Sequence, residues 1–359
     1  MVQIERYHAN PLITPEDVTP IIPGCKVVGV FNAATAVFEE EIILILRVAE
    51  SVALPERGEI VAPVYEPAVR NVVFVRLNSD DVRYDFSDPR VIRGRDPFTS
   101  SFLTSISYLR LARSQDGHHF TIEDRAFLFP HDELDAYGIE DPRCSKIGDQ
   151  YYIAYTAVSR LGACVGMAST RDFTGAVRHG VIFPPENKDV VLFPEMINGR
   201  YYAIHRPVPS GFGAPEMWIA ESRDLVHWGN HRFLLGLRQN FWDCRRIGAG
   251  AAPIRTPDGW LEIYHAVDGQ GRYCLGATLL DLHDPSIVLS RTDRPLLIPE
   301  EQYEISGFFS NVVFTCGAVV IKDRLRIYYG AADVSMACME LRMQDVLDEL
   351  RLVVVVNAV

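Results

Sequence analysis

The stretch "AYGIEDPRCSKIGDQYYIAYTAVS" (136–159) sets an acid pair, Glu140 and Asp141, just ahead of an aromatic-rich run that reads as a strand. Cationic, amide and imidazole groups recur at similar points elsewhere: Asn32, Arg47, Arg143, Lys188, His205, Arg206, Arg246 and His265, with one further carboxylate, Asp333. Inverting glycoside hydrolysis needs two carboxyl groups, an acid for the leaving oxygen and a base for water. A phosphate nucleophile is already an anion, so it needs cations to hold it in line and no base. One protonatable carboxyl among several Arg, Lys and His is therefore the composition that phosphorolysis predicts.

Each residue also has an ordinary structural explanation. Asp141 precedes a proline and equally suits a turn, and "SDPR" recurs at 87–90 with no strand motif behind it. His265 in "IYHAV" is flanked by apolar residues, as a satisfied core histidine would be, and Lys188 in "ENKDVV" resembles a loop lysine. Glu195 reads as structural, through bonds to backbone N–H groups. Arg206 and Arg246 adjoin apolar strands, where a solvated arginine is less expected. No Gly-rich phosphate loop, Ser-His-Asp order or metal-ligand spacing stands out, so neither a resident cofactor nor a metal is expected.

The elements that would position these groups repeat. A polar turn followed by alternating aromatic and aliphatic residues appears in "FEEEIILILRVAE" (38–50), "GDQYYIAYTAVS" (148–159), "NGRYYAIHRPV" (198–208), "DGWLEIYHAVD" (258–268) and "KDRLRIYYGAAD" (322–333). A second strand-like pattern follows at 108–120, 165–175, 217–228 and 274–285. From the second copy onward the spacing is 50 to 64 residues, the length of a multi-stranded propeller blade. Five copies predict an all-β, five-bladed β-propeller as a single domain over 1–359, in which equivalent positions converge near one axis. The stretch 51–100 lacks the motif and reads as an inserted, partly β arm after the first copy, of the kind that reaches a neighbouring subunit in a homo-oligomer. "SMACMELRMQDVLDELR" (335–351) has helical spacing, and "LRLVVVVNAV" reads as a terminal strand.

Composition narrows the partners. A net charge of −12 argues against nucleic acid and anionic membranes, which require a basic face, but leaves room for a small anion in a local cationic cluster. No apolar run is long enough to span a bilayer, and the N-terminus has no signal pattern. Seven scattered cysteines, odd in number and never in a C-x-x-C pair, fit reduced thiols of a cytoplasmic protein.

The motifs "FNAA…LILRVAE", "GIEDPRCSKIGDQYYIAYT", "NKDVVLFPEMINGRYYAIHRP", "RRIGAGAAPIRTPDGWLEIYHAV", "SNVVFTCGAVV" and "IYYGAAD" resemble glycoside hydrolase family 130, in order and over nearly the whole chain outside 51–100. The resemblance implies a five-bladed propeller and an inverting β-mannoside phosphorylase that takes a β-linked mannoside and phosphate to α-mannose 1-phosphate and a shortened acceptor. It makes Asp141 the general acid, with a proton passing through the mannosyl 3-hydroxyl. It assigns Lys188, Arg206, Arg246 and His265 to phosphate, Asn32, Arg47 and Asp333 to the mannosyl unit, and Tyr273 and Phe308 to the acceptor side. Some family members are hydrolases with acidic residues in place of the basic set, so a water-using β-mannosidase and a non-catalytic glycan-binding propeller are the alternatives. β-1,2-Linked mannobiose or oligomannoside is preferred to β-1,4-mannosyl-glucose. Two departures stand out: Lys188 replaces an expected arginine, and a second arginine soon after Arg47 is missing, for which Arg57 is the candidate substitute. The acid must hold its proton at working pH; burial or Glu140 would favour that and the arginines would oppose it.

Overall fold

A computed structural model of the chain, which describes residues 2–352, consists of β-strands with two short α-helices and one 3-10 helix. Each of the five aromatic-rich copies forms a strand: Glu41–Val52, Gln150–Ser159, Tyr201–Pro207, Gly259–Val267 and Arg324–Ala331. Each pairs antiparallel on one side with a preceding strand: Cys25–Phe38, Gly138–Ile147, Asn187–Leu192, Arg246–Ala249 and Val313–Ile321. On the other side it pairs with a following strand: Ile106–Ser114, Gly162–Thr170, Met217–Ser222, Tyr273–Leu280 and Ser335–Arg342. The first two meanders join through a single parallel pair, Gly138↔Ser107. The N-terminal strand Ile4–Arg6 pairs with Ser335–Arg342, so both ends of the described chain share one sheet.

Burial explains why these strands read as nearly continuous apolar runs. Ile43, Leu44, Ile45 and Leu46 are all inaccessible to solvent, because the period-2 alternation sends successive side chains into different cores. Ile43 and Ile45 pack with Ile139, Ile153 and Tyr155 of the second meander. Leu44 and Leu46 pack with Tyr328, Met336 and Cys338 of the last. The same sharing links the second to the third meander (Val165 with Val190), the third to the fourth (Ile204 with Trp260) and the fourth to the last (Ile263 with Ile327). Face-to-face packing thus returns to its starting point.

Several expectations need correction. The proposed helix over 335–351 divides: Ser335–Arg342 is a strand buried on both faces, and only Met343–Leu352 is helical. Its apolar spacing satisfied both periods, and pairing with Arg324–Ala331 decides for the strand. The first residues of the supposed terminal strand, Leu350 to Leu352, belong to that helix, and the remainder lies outside the described residues. A one-turn helix, Gln302–Ile305, was not foreseen. The arm is indeed partly β, as the pair Glu59–Glu66 with Asn71–Asn78 and the set Tyr84–Asp88, Val91–Gly94 and Phe102–Leu103. It does not simply project outward. The Tyr65 N–H donates to Ala136 O at 2.8 Å, Tyr65 meets Phe129 edge-on, and Phe102 lies against Tyr137, so the arm folds back onto its own chain. All seven cysteines are unpaired, and among the described residues no helix is long and apolar enough to cross a membrane.

Candidate active site

Three of the preceding strands lose register at equivalent places. Pairing slips between Phe31 and Ala34, between Glu140 and Arg143, and between Lys188 and Val191. In each slip one residue adopts a left-handed backbone: Asn32 at φ 51°, Asp141 at φ 47° and Asp189 at φ 55°. Asn and Asp tolerate that region better than other side chains, and a bulge re-aims the side chain it carries. Pro142 fits the second slip because it has no N–H to lose from the ladder. Asp333, also left-handed at φ 54°, lies in the turn between Arg324–Ala331 and Ser335–Arg342.

These bulges and turns open onto one cavity of about 360 Å³. The ten residues to which the family resemblance assigns roles all line it: Asn32, Arg47, Asp141, Lys188, Arg206, Arg246, His265, Tyr273, Phe308 and Asp333. Segments far apart in sequence therefore meet around a single space of a size typical for small-molecule sites.

The two oxygens of Asp141 differ. Arg47 Nη1 and Asn32 Nδ2 both donate to Oδ1, at 3.0 and 2.9 Å. Among the described residues no donor engages Oδ2. Arg47 is itself fixed by Glu140 (2.8 Å) and Ser107 (3.1 Å) and lies over the Phe31 ring. Burial pushes the Asp141 carboxyl up, but Arg47, Arg143, Asn32 and Lys188 outweigh it and hold the group below the usual aspartate range. Asp333 goes the other way. Burial, reinforced by Asp141 and Glu140, raises it to about 6 against Arg47 and Arg90. Of these two cavity carboxyls, Asp333 and not Asp141 is the one pushed towards neutral pH.

On the cationic side, Lys188 and Arg206 are cross-strand partners. Arg206 Nε donates to Asp189 Oδ2 at 2.6 Å, and Arg143 Nη2 donates to Oδ1 at 3.0 Å. Burial alone would raise Asp189, yet Arg206, Arg143 and His265 hold it well below the ordinary range. His265 Nε2 stands 3.3 Å from Asp189 Oδ2 without hydrogen-bond alignment, so among the described residues both buried ring nitrogens lack a hydrogen-bond partner. Burial, with Arg143 and Arg206, lowers its pKa despite Asp189, so the imidazole is neutral at pH 7 and contributes donor and acceptor atoms instead of charge. Lys188 Nζ is 3.7 Å from Glu140 Oε2. Arg246 Nη1 donates to Tyr273 OH at 2.7 Å and has no carboxylate partner among the described residues.

Other candidates do different work. Arg143 is fully buried and clamps the carbonyls of Ala249, Gly250 and Asp141, so it braces the site from behind. His205 is buried between Asn187 and His231, away from the cavity lining. Glu195 pairs with Arg255 at 3.2 Å and makes none of the expected backbone bonds. Arg57 is exposed and does not line the cavity. Two charged cavity residues escaped sequence reasoning. Asp189 repeats the bulge position of Asn32 and Asp141, a signal available in "NKDVV". Arg90 comes from the arm, within the "SDPR" that had been set aside.

Residues 99–352 match the family model described as β-1,4-mannooligosaccharide phosphorylase, of glycoside hydrolase family 130. The chain is 47% identical over 350 residues to a β-1,2-mannobiose phosphorylase of Listeria innocua, covering 97% of this chain and 99% of that one. It is 41% identical to a 1,2-β-oligomannan phosphorylase of Thermoanaerobacter sp., over 67% of this chain and 80% of the relative. The solved Listeria innocua β-1,2-mannobiose phosphorylase, in complex with β-1,2-mannobiose, superposes with a TM-score of 0.94 over 98% of this chain and 99% of that one. The chain belongs to glycoside hydrolase family 130.

Proposed function

We propose that the protein is an inverting phosphorylase of β-linked mannosides, converting them with inorganic phosphate to α-mannose 1-phosphate and a shortened acceptor. The observation that carries this reading is the asymmetry of Asp141, whose Oδ1 is pinned while Oδ2 has no partner among the described residues, within a cavity shared with Lys188, Arg206 and Arg246. The mannosyl unit lies against Asn32, Arg47 and Asp333. Phosphate is held by Lys188, Arg206 and Arg246, with the neutral imidazole of His265 beside it, and attacks the anomeric carbon from the face opposite the leaving oxygen. Asp141 Oδ2 supplies the proton that reaches that oxygen through the mannosyl 3-hydroxyl. Phosphate compensates the cations that depress Asp141, so the acid gains its proton as the nucleophile binds. Phosphate is a co-substrate, and the reading calls for no resident cofactor.

The β-1,2 linkage is favoured because the two relatives above are named for it. The cyclic sharing of cores supports a single five-bladed propeller. Seven unpaired cysteines suit the reducing cytoplasm. The test is incubation with β-1,2-mannobiose with and without phosphate, followed by detection of mannose 1-phosphate. Turnover that requires phosphate is expected. Mannose release indifferent to phosphate would make the enzyme a mannosidase, and binding without turnover would make it a recognition module.

A further inference from the structure

We propose that Arg90, carried by the arm, is a specificity-determining residue for the leaving sugar, its guanidinium donating to hydroxyls of the acceptor unit at the cavity mouth. This rests on the phosphorylase reading above.

Arg90 is pre-oriented. Its Nε and Nη2 donate to Asp88 Oδ1 and Oδ2, each at 3.0 Å, and its backbone N–H donates to the same carboxylate at 3.0 Å. The guanidinium carbon lies 4.2 Å from the centre of the Phe309 ring. The strand that follows is anchored, since Thr104 bonds the carbonyls of both Arg90 and Pro89. A guanidinium has five N–H donors. Two are spent on Asp88, and no acceptor among the described residues takes the other three, although Arg90 lines the cavity.

The chemistry of that arrangement favours hydroxyls over phosphate. Asp88 pairs with Arg90, whereas Arg246 on the phosphate side has no carboxylate partner among the described residues. Phe308, Phe309 and Tyr273 line the same cavity, and aromatic side chains cover the C–H surface of a sugar ring while fixed N–H donors read its edge. Asp141 is buried, whereas Arg90 is only partly covered and stacks on Phe309, the neighbour of the acceptor-side candidate Phe308, which is 37% exposed; this groups Arg90 with the acceptor side.

The test uses the synthetic direction, with mannose 1-phosphate as donor and mannose as acceptor, in the parent enzyme, Arg90→Ala and Arg90→Lys. In Arg90→Ala the acceptor KM rises at least about tenfold, as loss of one or two charge-assisted bonds implies. The KM for mannose 1-phosphate changes less than about twofold, and Arg90→Lys recovers part of the acceptor affinity. An unchanged acceptor KM, or equal rises in both KM values, overturns the proposal. A parent enzyme that forms no mannobiose and releases no phosphate from mannose 1-phosphate and mannose would instead overturn the phosphorylase reading on which it rests, so the two failures are distinguishable. Equal unfolding midpoints for the three proteins exclude a general structural effect.

Discussion

Replacing Asp189 by asparagine isolates what one buried carboxylate does for two arginines. Asp189 bonds Arg206 at 2.6 Å and Arg143 at 3.0 Å, and all three are almost fully buried. Removing one partner of a buried ion pair costs about 3–5 kcal/mol, because the remaining charge stays desolvated. The asparagine amide retains an acceptor for one arginine, which puts Asp189→Asn at the low end, ~3 kcal/mol. With an unfolding entropy of about 2 cal/mol/K per residue, that lowers the melting temperature by about 4 °C at pH 7. The pH dependence has a defined sign. A carboxylate depressed in the folded state stabilises at all pH above its unfolded pKa, near 4, and the benefit fades as pH falls through its folded value. The gap between parent and variant should therefore be constant from pH 7 to about 5 and narrow below about 4. Phosphate, which supplies the missing negative charge to Arg206, should raise the variant's melting temperature more than the parent's. Calorimetry with and without phosphate reads all three effects. A variant melting within about 1 °C of the parent at pH 7, or a gap that widens on acidification, would refute the assignment of Asp189 as the counter-ion.

Asp333→Asn should behave oppositely. Because the folded chain raises this carboxyl to about 6, the parent loses stability as pH climbs from about 4 towards 6, and the variant should gain on the parent over that interval in urea midpoint. A variant that loses ground on going from pH 4 to pH 7 would contradict the raised pKa. Arg246→Ala removes a cation whose only polar partner among the described residues is Tyr273 OH. The KM for phosphate should rise about tenfold or more, while that for the mannoside changes less than about threefold. Equal rises would remove Arg246 from the phosphate side.

How far the sequence could be read depended on how far each residue's role was local. The strands over 41–52, 150–159 and 324–331 were legible because aromatic and aliphatic residues on both faces serve two cores at once. Asn32, Asp141 and Asp189 share one device, a left-handed bulge near the point where the meanders converge. Two of them were found as chemical candidates. The third was overlooked because its neighbour Lys188 supplied the expected charge. Ser335–Arg342 was misread because its apolar spacing satisfied helix and strand alike, and only pairing distinguishes them. Arg90 could not be found locally at all. Its place depends on the arm folding back over the cavity, through contacts such as Tyr65 with Ala136 and Phe102 with Tyr137. Nor could sequence settle protonation, since burial and four donor or cationic groups compete at Asp141 and their balance requires distances.

The proton donor itself is most directly tested by comparing Asp141→Asn with the parent on two substrates, β-1,2-mannobiose and an aryl β-mannoside whose leaving group needs no protonation. General acid catalysis contributes about 10²- to 10⁴-fold, so phosphate-dependent kcat on mannobiose should fall by at least about a hundredfold, with far smaller loss on the aryl mannoside. Activity on mannobiose within about tenfold of the parent, or equal losses on both substrates, would contradict Asp141 as the acid.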